Sequence, residues 1–183
     1  MNVMKSSDGT QWSAEDRPCP VCGSRIVKKL GARGGRAHHE GKGVETVVVR
    51  CKDCKVIYTQ PTLIPGSNPY ARESAEQYFQ LDNSQLKVLQ GERIAAFAEK
   101  VLGSPGRMLE LGCGRGELLK GALNRRWSAY GVEMTEDYIR VARSHGVKVE
   151  CSSIEDCKSL EQTYDVVPLA AILEHLYDPM ETL

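Results

Sequence analysis

No apolar run in this chain approaches the roughly 20 residues that a helix needs to cross a bilayer. The first residues contain no apolar signal core either, and nothing in them suggests export. Lysine plus arginine and aspartate plus glutamate each number 24, so the whole chain has no net charge that would attract nucleic acid or a membrane. These absences predict a globular cytoplasmic protein.

The chain also lacks an even number of cysteines. The chain has seven cysteines, and four of them form two Cys-x-x-Cys pairs. The other three, Cys113, Cys151 and Cys157, lie in the C-terminal half. In an intracellular chain this pattern favours a metal site over disulfide bonds.

The two pairs are separated by 28 residues, a spacing typical of a zinc ribbon. Four thiolates would fill a tetrahedral zinc site and leave no open position, which predicts a structural metal held by Cys19, Cys22, Cys51 and Cys54. The alternative is a redox role, but a redox Cys-x-x-Cys normally occurs singly and opens a helix. Gly23 suits a turn residue with positive φ, whereas Lys55 stands where the second turn would often have glycine. His38 and His39 lie between the pairs, where we expect solvent exposure.

Composition and periodicity divide the chain into four parts. They are a polar tail at residues 1–17, the cysteine module at 18–60, a linker at 61–83 and a C-terminal domain at 84–183. Three strands are predicted in the cysteine module, at Arg25–Leu30, Val44–Cys51 and Lys55–Thr59. A short helix is predicted at Arg72–Gln80, and a longer one from Ser84 to Leu102.

The C-terminal domain alternates strand and helix patterns. Strands are predicted at Met108–Leu111, Ser128–Glu133, Val147–Cys151 and Tyr164–Leu169. Helices are predicted at Glu117–Arg126, from Thr135 to about His145, and beginning at Ile172–Leu176. Alternating β and α units predict an α/β fold with a parallel sheet covered on both faces.

A glycine-rich loop, Glu110-Leu-Gly-Cys-Gly-Arg-Gly116, joins the first strand of this domain to its first helix. Glycines at such a place let a ligand approach the backbone closely. A dinucleotide fingerprint would need glycine at position 117, where Glu117 stands instead. The preceding carboxylate, Glu110, suits a cofactor that contains a cationic amino acid.

The next two strands each end in polar residues that suit an adenosine. Glu133 ends the second strand, where a carboxylate can accept hydrogen bonds from both ribose hydroxyls. After the third strand, Ser153 can bond an adenine and Ile154 can pack on its face. Taken with the glycine loop and in this order, these residues predict one cofactor site.

These motifs, with the later Tyr164–Pro179 segment and the cysteine pairs, resemble class I S-adenosylmethionine-dependent methyltransferases with an N-terminal zinc ribbon. The resemblance implies a partial Rossmann-like sheet of strand order 3-2-1-4. It also implies that Glu110, Gly112, Cys113 and Gly114 hold the methionine part, that Glu133 binds ribose, that Ser153 and Ile154 contact adenine, and that Leu169 lines the methyl-donor side. Two departures are Ser153, where aspartate is frequent, and Pro168, which cannot donate a bond within a sheet.

The resemblance implies methyl transfer to a small molecule, such as a sugar-linked or nucleotide-linked acceptor. Between Cys19 and Lys55 there are nine basic residues and three acidic ones, which suits an anionic acceptor. His175 is the histidine placed to act as a general base, although a structural role at the start of a helix is favoured for it. The same two roles are open to Glu174, with the same preference. Two alternatives are a nonenzymatic zinc-ribbon module with a relic cofactor domain and an RNA methyltransferase, which the net charge disfavours.

The printed chain stops just after the fourth predicted strand, whereas the sheet of the family it resembles has seven. We therefore expect a fragment or a truncated form. On its own it should show little methyl transfer, because the missing strands help to form the acceptor pocket in that family.

Overall fold

The computed structural model of the protein describes residues 2–5, 11–41, 43–66, 84–154, 156–176 and 178–182. Contacts divide the chain into two units. Met1–Ser74 with Tyr177–Glu181 and Leu183 form the first, and Ala75–Leu176 with Thr182 form the second. The helix predicted at Arg72–Gln80 lies outside the described residues. None of the described helices is both long enough and apolar enough to cross a membrane.

Two small antiparallel sheets make up the described part of the first unit. Their strands are β1 (Asn2–Lys5), β2 (Gln11–Glu15), β3 (Val27–Arg33), β4 (Thr46–Cys51), β5 (Ile57–Gln60) and β6 (Thr62–Pro65). The ribbon sheet has the order β3-β4-β5, and its central strand is the β-branched run that predicted it. A bulge at Leu30 interrupts its register, and a 3₁₀ turn at Gly35–Ala37 follows β3.

The other sheet has the order β1-β2-β6, and it corrects the prediction of a loose tail at residues 1–17. It also places a strand inside the predicted linker at 61–83. In this sheet β2 pairs with β6, so that Trp12 lies opposite Pro65. β2 is short, and its partner β6 lies far away in sequence. Neither strand has the alternation of apolar and polar residues that would identify it from its own sequence.

The second unit alternates strands and helices as the sequence predicts. Its elements are α1 (Ser84–Leu102), β7 (Arg107–Leu111), α2 (Glu117–Asn124), β8 (Ser128–Glu133), α3 (Glu136–Ser144) and β9 (Lys148–Cys151). A single helical turn near the end of the chain, α4 (Pro179–Thr182), belongs to the first unit except for Thr182. β7, β8 and β9 form a parallel sheet in the order β7-β8-β9. The α/β class is therefore confirmed.

The predicted fourth strand is reduced to one bridge. Met108 of β7 pairs in parallel with Val166, on the side of β7 away from β8. The order 3-2-1-4 therefore holds, with its fourth member present only as a bridge. Pro168 lacks an amide hydrogen and Ala171 has a φ of 56°, so the chain does not continue along β7. The helix predicted to begin at Ile172–Leu176 is a 3₁₀ turn at Leu173–His175.

The sheet of the second unit has a packed layer on each face. One layer contains residues of the three helices, with Met108 and Trp127 among its buried side chains. The other is built on Leu109, Leu111 and Val132 and is covered by residues that follow β9. Both layers end at the carboxyl edge of the sheet, where the predicted cofactor loop lies.

Candidate cofactor site and metal centre

Two tight turns bring the four paired cysteines together in the first unit. Their sulfur atoms all lie within 4.8 Å of one another, and they belong to Cys19, Cys22, Cys51 and Cys54. The Sγ atoms of Cys19 and Cys54 are 3.5 Å apart, and those of Cys22 and Cys51 are 3.6 Å apart. In a tetrahedron with Zn–S bonds of about 2.3 Å, sulfur atoms would be separated by about 3.8 Å. The donor set and its spacing therefore fit one zinc ion.

The backbone of the two turns is alike although their sequences differ. Gly23 follows the first pair with φ 72°, and Lys55 follows the second with φ 69°. The left-handed region is open to glycine but costs a residue with a Cβ roughly 1–2 kcal/mol. Lys55 thus adopts the glycine conformation without being glycine, and its ammonium group donates to the carbonyl of Lys52 in the same turn.

Backbone amides point at the sulfur of the second turn. Burial raises the pKa of Cys51, but hydrogen bonds from the amides of Cys54 and Asp53 and from the neighbouring thiols lower it to about 6. At Cys54 the amide of Val56 lowers the pKa, but burial and the other three thiols raise it to about 12. Four thiolates this close repel one another, so a cation is needed to hold all of them ionised.

Tyr58 lies beside this cluster and was not identified from the sequence. Its hydroxyl is buried and has no hydrogen-bond partner among the described residues. Burial raises the pKa of Tyr58, and the four cysteines raise it further. Tyr58 is a strand residue paired with Val49, and an isolated tyrosine in a strand carries no signal that would place it near a metal.

In the second unit the glycine loop turns sharply between β7 and α2. Gly112, Gly114 and Gly116 have φ values of 64°, 52° and 71°. A Cβ added at Gly112 would overlap the side chain of Ile172, whereas one at Gly114 would meet nothing within 4 Å. The positive φ is what favours glycine at position 112, whereas the Ile172 side chain could shift to make room for a Cβ.

Glu110 is the penultimate residue of β7, and its carboxyl group is buried. Its Oε2 atom is buried and has no hydrogen-bond partner among the described residues. Burial raises the pKa of Glu110 to about 8; Lys87 lowers it, and Glu117 and Glu133 raise it. A buried carboxylate without a partner is costly, and a cationic group bound beside it would satisfy it. A cofactor that carries an ammonium group would therefore fit beside this oxygen.

Glu133 sits at the end of β8, as predicted, and contacts the glycine loop. Its Oε2 accepts a hydrogen bond from the Gly114 amide at 3.0 Å. Its Oε1 accepts bonds from the amides of Met134 and Thr135, each at 2.8 Å. A carboxylate offers about four acceptor positions, so Glu133 can be held in place by the backbone and still accept from a ribose hydroxyl.

The side chain of Cys113 does not point into the site. Its thiol is buried in the layer under the helices, and a Cβ added at Gly131 would overlap its Sγ. Burial raises the pKa of Cys113 above its usual value. The Cys113 amide bonds the Val132 carbonyl at 3.0 Å. The prediction that Cys113 contacts a cofactor can therefore hold only for its backbone.

The residues predicted to lie beside adenine have partners within the chain. Ser153 donates its hydroxyl proton to Asp156 at 2.8 Å and accepts a bond from the Asp156 amide. The sequence singled out Ser153 but missed Asp156, whose side chain is its acceptor. Ile154 and Leu169 pack against the same buried cluster as Val132, so the structure brings these two predicted site residues into one region.

His175 is exposed on the 3₁₀ turn Leu173–His175. Its amide bonds the carbonyl of Ile172 at 2.8 Å, and the role of its side chain stays a prediction. The side chain of Glu174 lies outside what the structure describes.

Known proteins match the second half of the chain. Residues 82–183 match a sequence family described as methyltransferase domain. A ubiquinone biosynthesis O-methyltransferase of Hahella chejuensis is 33% identical over 95 residues, covering 48% of this chain and 40% of that protein. The Coxiella burnetii (strain Dugway 5J108-111) protein of the same name is 25% identical over 104 residues, covering 54% and 44%. This chain spans less than half the length of these relatives.

Solved structures show the same fold. The plantazolicin methyltransferase BpumL in complex with SAH superposes with a TM-score of 0.53 at 21% identity, covering 63% of this chain and 47% of that one. A complex of the same enzyme with a monoazolic desmethylPZN analog and SAH gives a TM-score of 0.51 at 19% identity. At these identities the likeness concerns the fold alone.

Proposed function

The chain belongs to the methyltransferase domain family, and from that premise we propose that it takes part in methyl transfer from S-adenosylmethionine to a small molecule. The observation that carries the proposal is the orphaned carboxylate of Glu110 at the end of β7. It lies next to the glycine loop, whose glycines have positive φ. Glu133 of the neighbouring strand accepts a hydrogen bond from the amide of Gly114 in this loop. A cationic amino acid and a ribose are the two chemical groups that this pair of carboxylates suits.

In this proposal residues 84–183 form the cofactor-binding domain. Glu110, Gly112 and Gly114, with the backbone of Cys113, hold the methionine part, and Glu133 accepts from the ribose. Ser153, Ile154 and Leu169 form the adenine and donor side. When bound, S-adenosylmethionine supplies an already activated methyl group, so the residues around it mainly have to orient the acceptor and exclude water.

We propose that residues 18–60 form a zinc ribbon with a structural role. The support is a closed set of four sulfur atoms within 4.8 Å, since four thiolates leave no position for water or substrate. The ribbon carries more basic than acidic residues, and it would help to bind an anionic acceptor, sugar-linked or nucleotide-linked. A cytoplasmic location remains a prediction from the sequence.

Cofactor binding is tested by thermal unfolding with S-adenosylhomocysteine and, separately, with NAD. At one hundred times its dissociation constant a ligand stabilises the folded chain by about 2.7 kcal/mol. We expect that shift with S-adenosylhomocysteine and its loss in Gly112→Val. Gly31→Val is the matched control, because a Cβ at Gly31 meets nothing within 4 Å. A shift with NAD alone would overturn the proposal.

The acceptor class is tested with radiolabelled S-adenosylmethionine and cell extract divided into small-molecule, protein and RNA fractions. Label in the small-molecule fraction supports the proposal. Label in RNA supports the ribbon-bearing RNA methyltransferase instead. Cofactor binding without label in any fraction points to the nonenzymatic module.

A further inference from the structure

Two cations lie side by side on one face of the ribbon sheet. Lys28 of β3 is directly paired with Arg50 of β4, and Arg50 is in turn paired with Ile57 of β5. Residues paired in this way have Cβ atoms about 4.5–5.5 Å apart and point to the same face. Like charges directly opposite each other destabilise a sheet, so this pair lowers the stability of the ribbon by itself.

Among the residues that the structure describes, no acidic side chain forms an ion pair with Lys28 or Arg50. We call the side of the sheet that holds Lys28 and Arg50 the Lys28 face. By strand alternation its other members are uncharged apart from one arginine: Gly31, Arg33, Thr46, Val48, Ile57 and Thr59. Of the ribbon carboxylates, Glu45 pairs with Arg36 at 3.2 Å, and Glu40 lies 3.7 Å from His39. Cys51 alternates with Arg50 along β4, so its thiolate belongs to the opposite face.

Apolar side chains flank the cations. Ile57 is 54% exposed, and Ile26, two residues before Lys28 in sequence, is 58% exposed. A Cβ at Gly31 would meet nothing, so the surface is open beside them. The Lys28 face therefore combines adjacent positive charge with exposed aliphatic surface, which suits a ligand that has a multiply charged anion and an apolar body.

We propose that the Lys28 face binds the phosphate or diphosphate group of a phosphorylated small molecule, with Lys28 and Arg50 sharing the anion. The inference rests on the proposed function, because that molecule would be the methyl acceptor. A divalent anion neutralises both cations at once, whereas a single carboxylate carries one charge. Arginine also pairs with phosphate through two parallel hydrogen bonds. The isoleucines pack against the rest of the ligand.

The test uses the full zinc-loaded chain and uridine diphosphate as probe, with uridine as the uncharged comparison. Binding is measured by calorimetry, and amide NMR shifts locate it. We expect uridine diphosphate to shift amides of β3, β4 and β5 and uridine to bind far more weakly. Lys28→Gln and Arg50→Gln should each weaken the affinity about tenfold, which is about 1.4 kcal/mol.

Lys29→Gln is the matched control. Lys29 is exposed like Lys28, but it pairs with Val49 and therefore lies on the opposite face. We expect its replacement to change the affinity less than twofold, with the zinc content of all three variants equal to that of the parent. Equal weakening by Lys28→Gln and Lys29→Gln would mean general charge attraction and would overturn the proposal.

The remaining outcomes separate this inference from the proposed function. No binding of uridine diphosphate by a chain that does bind S-adenosylhomocysteine sinks the inference alone. Binding at the Lys28 face by a chain that does not bind S-adenosylhomocysteine sinks the proposed function alone. Tight binding of a short single-stranded RNA with no binding of uridine diphosphate would replace the proposal with a nucleic-acid interface.

Discussion

Glu133 at the end of β8 accepts a hydrogen bond from the amide of Gly114, 3.0 Å away in the loop that follows β7. The bond joins the two strands at the edge where a ligand would sit. It also fixes both partners, because a carboxylate held by three backbone amides has little rotational freedom left. The glycine loop and Glu133, the residue predicted to bind ribose, therefore hold each other in place.

Replacing Glu133 with glutamine should weaken S-adenosylhomocysteine binding about tenfold or more. The amide nitrogen of glutamine cannot accept bonds from backbone amides or from a ribose hydroxyl, and a hydrogen bond to a charged group contributes roughly 1.5–3 kcal/mol. Calorimetry measures the affinity. Glu136→Gln is the control, because that exposed carboxylate lies three residues further along. Equal affinities in parent and Glu133→Gln would contradict the assignment.

Glu110→Gln should stabilise the ligand-free chain at alkaline pH and much less at acidic pH. The pKa of Glu110 is raised from the usual 4.5 to about 8, so the folded state holds a proton that the unfolded state releases. Stability is then lost as pH rises from about 4.5 to 8, at about 1.4 kcal/mol per pKa unit, and glutamine removes that loss.

Thermal unfolding of parent and Glu110→Gln between pH 5 and pH 9 measures this effect. The advantage of the variant should grow across the window and level off above pH 8. The affinity of the parent for S-adenosylhomocysteine should rise over the same range, since the ionised carboxylate pairs with the ammonium group. A constant difference between the two proteins at every pH would show that Glu110 does not titrate there.

The glycine loop and the clustering of the four cysteines could be predicted because their sequence signals are local; the cofactor and the zinc ion assigned to them stay predictions. Glycine at 112, 114 and 116 is required by backbone conformation, and the cysteine spacing sets two turns. The contacts of Ser153 and Cys113 were not predictable. The acceptor of Ser153 depends on how residues 153–156 turn, and the thiol of Cys113 is directed inward by space that Gly131 leaves on another strand.

Helix α1 shows the same limit on the fold. Its bounds agree with the prediction, yet four of its large apolar residues are exposed: Leu86, Leu89, Phe97 and Val101. The buried side consists of small residues instead, Gly91, Ala95 and Ala98. Hydrophobicity alone did not identify a face that packs by close backbone approach.

Cys51→Ser should lower the zinc content from about one equivalent per chain to less than half and should destabilise the ribbon. Metal binding is coupled to folding in small zinc modules, so removing a ligand weakens both. Elemental analysis of protein purified without added metal, together with thermal unfolding, provides the test. Cys151→Ser is the control, because Cys151 is exposed and outside the cluster. Full zinc content in Cys51→Ser would exclude the four-cysteine site.

Lys55→Gly should stabilise the zinc-loaded chain, by up to about 1.5 kcal/mol. Glycine removes a left-handed cost of roughly 1–2 kcal/mol and adds roughly 0.5–1 kcal/mol of backbone entropy to be lost on folding. Lys52→Gly in the same turn is the control. Lys52 is not among the residues with positive φ, so that change should destabilise. Thermal unfolding at saturating zinc compares the two, and equal effects would show that the φ of Lys55 carries no cost.

Gly91→Ala should destabilise the second unit although it improves helix propensity. In an exposed helix, alanine in place of glycine stabilises by about 0.8–1 kcal/mol. At position 91 the added Cβ would overlap the backbone carbonyl oxygen of Leu118 in α2, and a backbone atom cannot move aside as a flexible side chain can. Overpacking of this kind costs about 1–3 kcal/mol, so the clash should outweigh the propensity.

Urea unfolding measures the sign of the change. Gln90→Ala, at the exposed neighbouring position, should be close to neutral. If Gly91→Ala proved as stable as the parent, α1 and α2 would have to lie further apart than the structure places them.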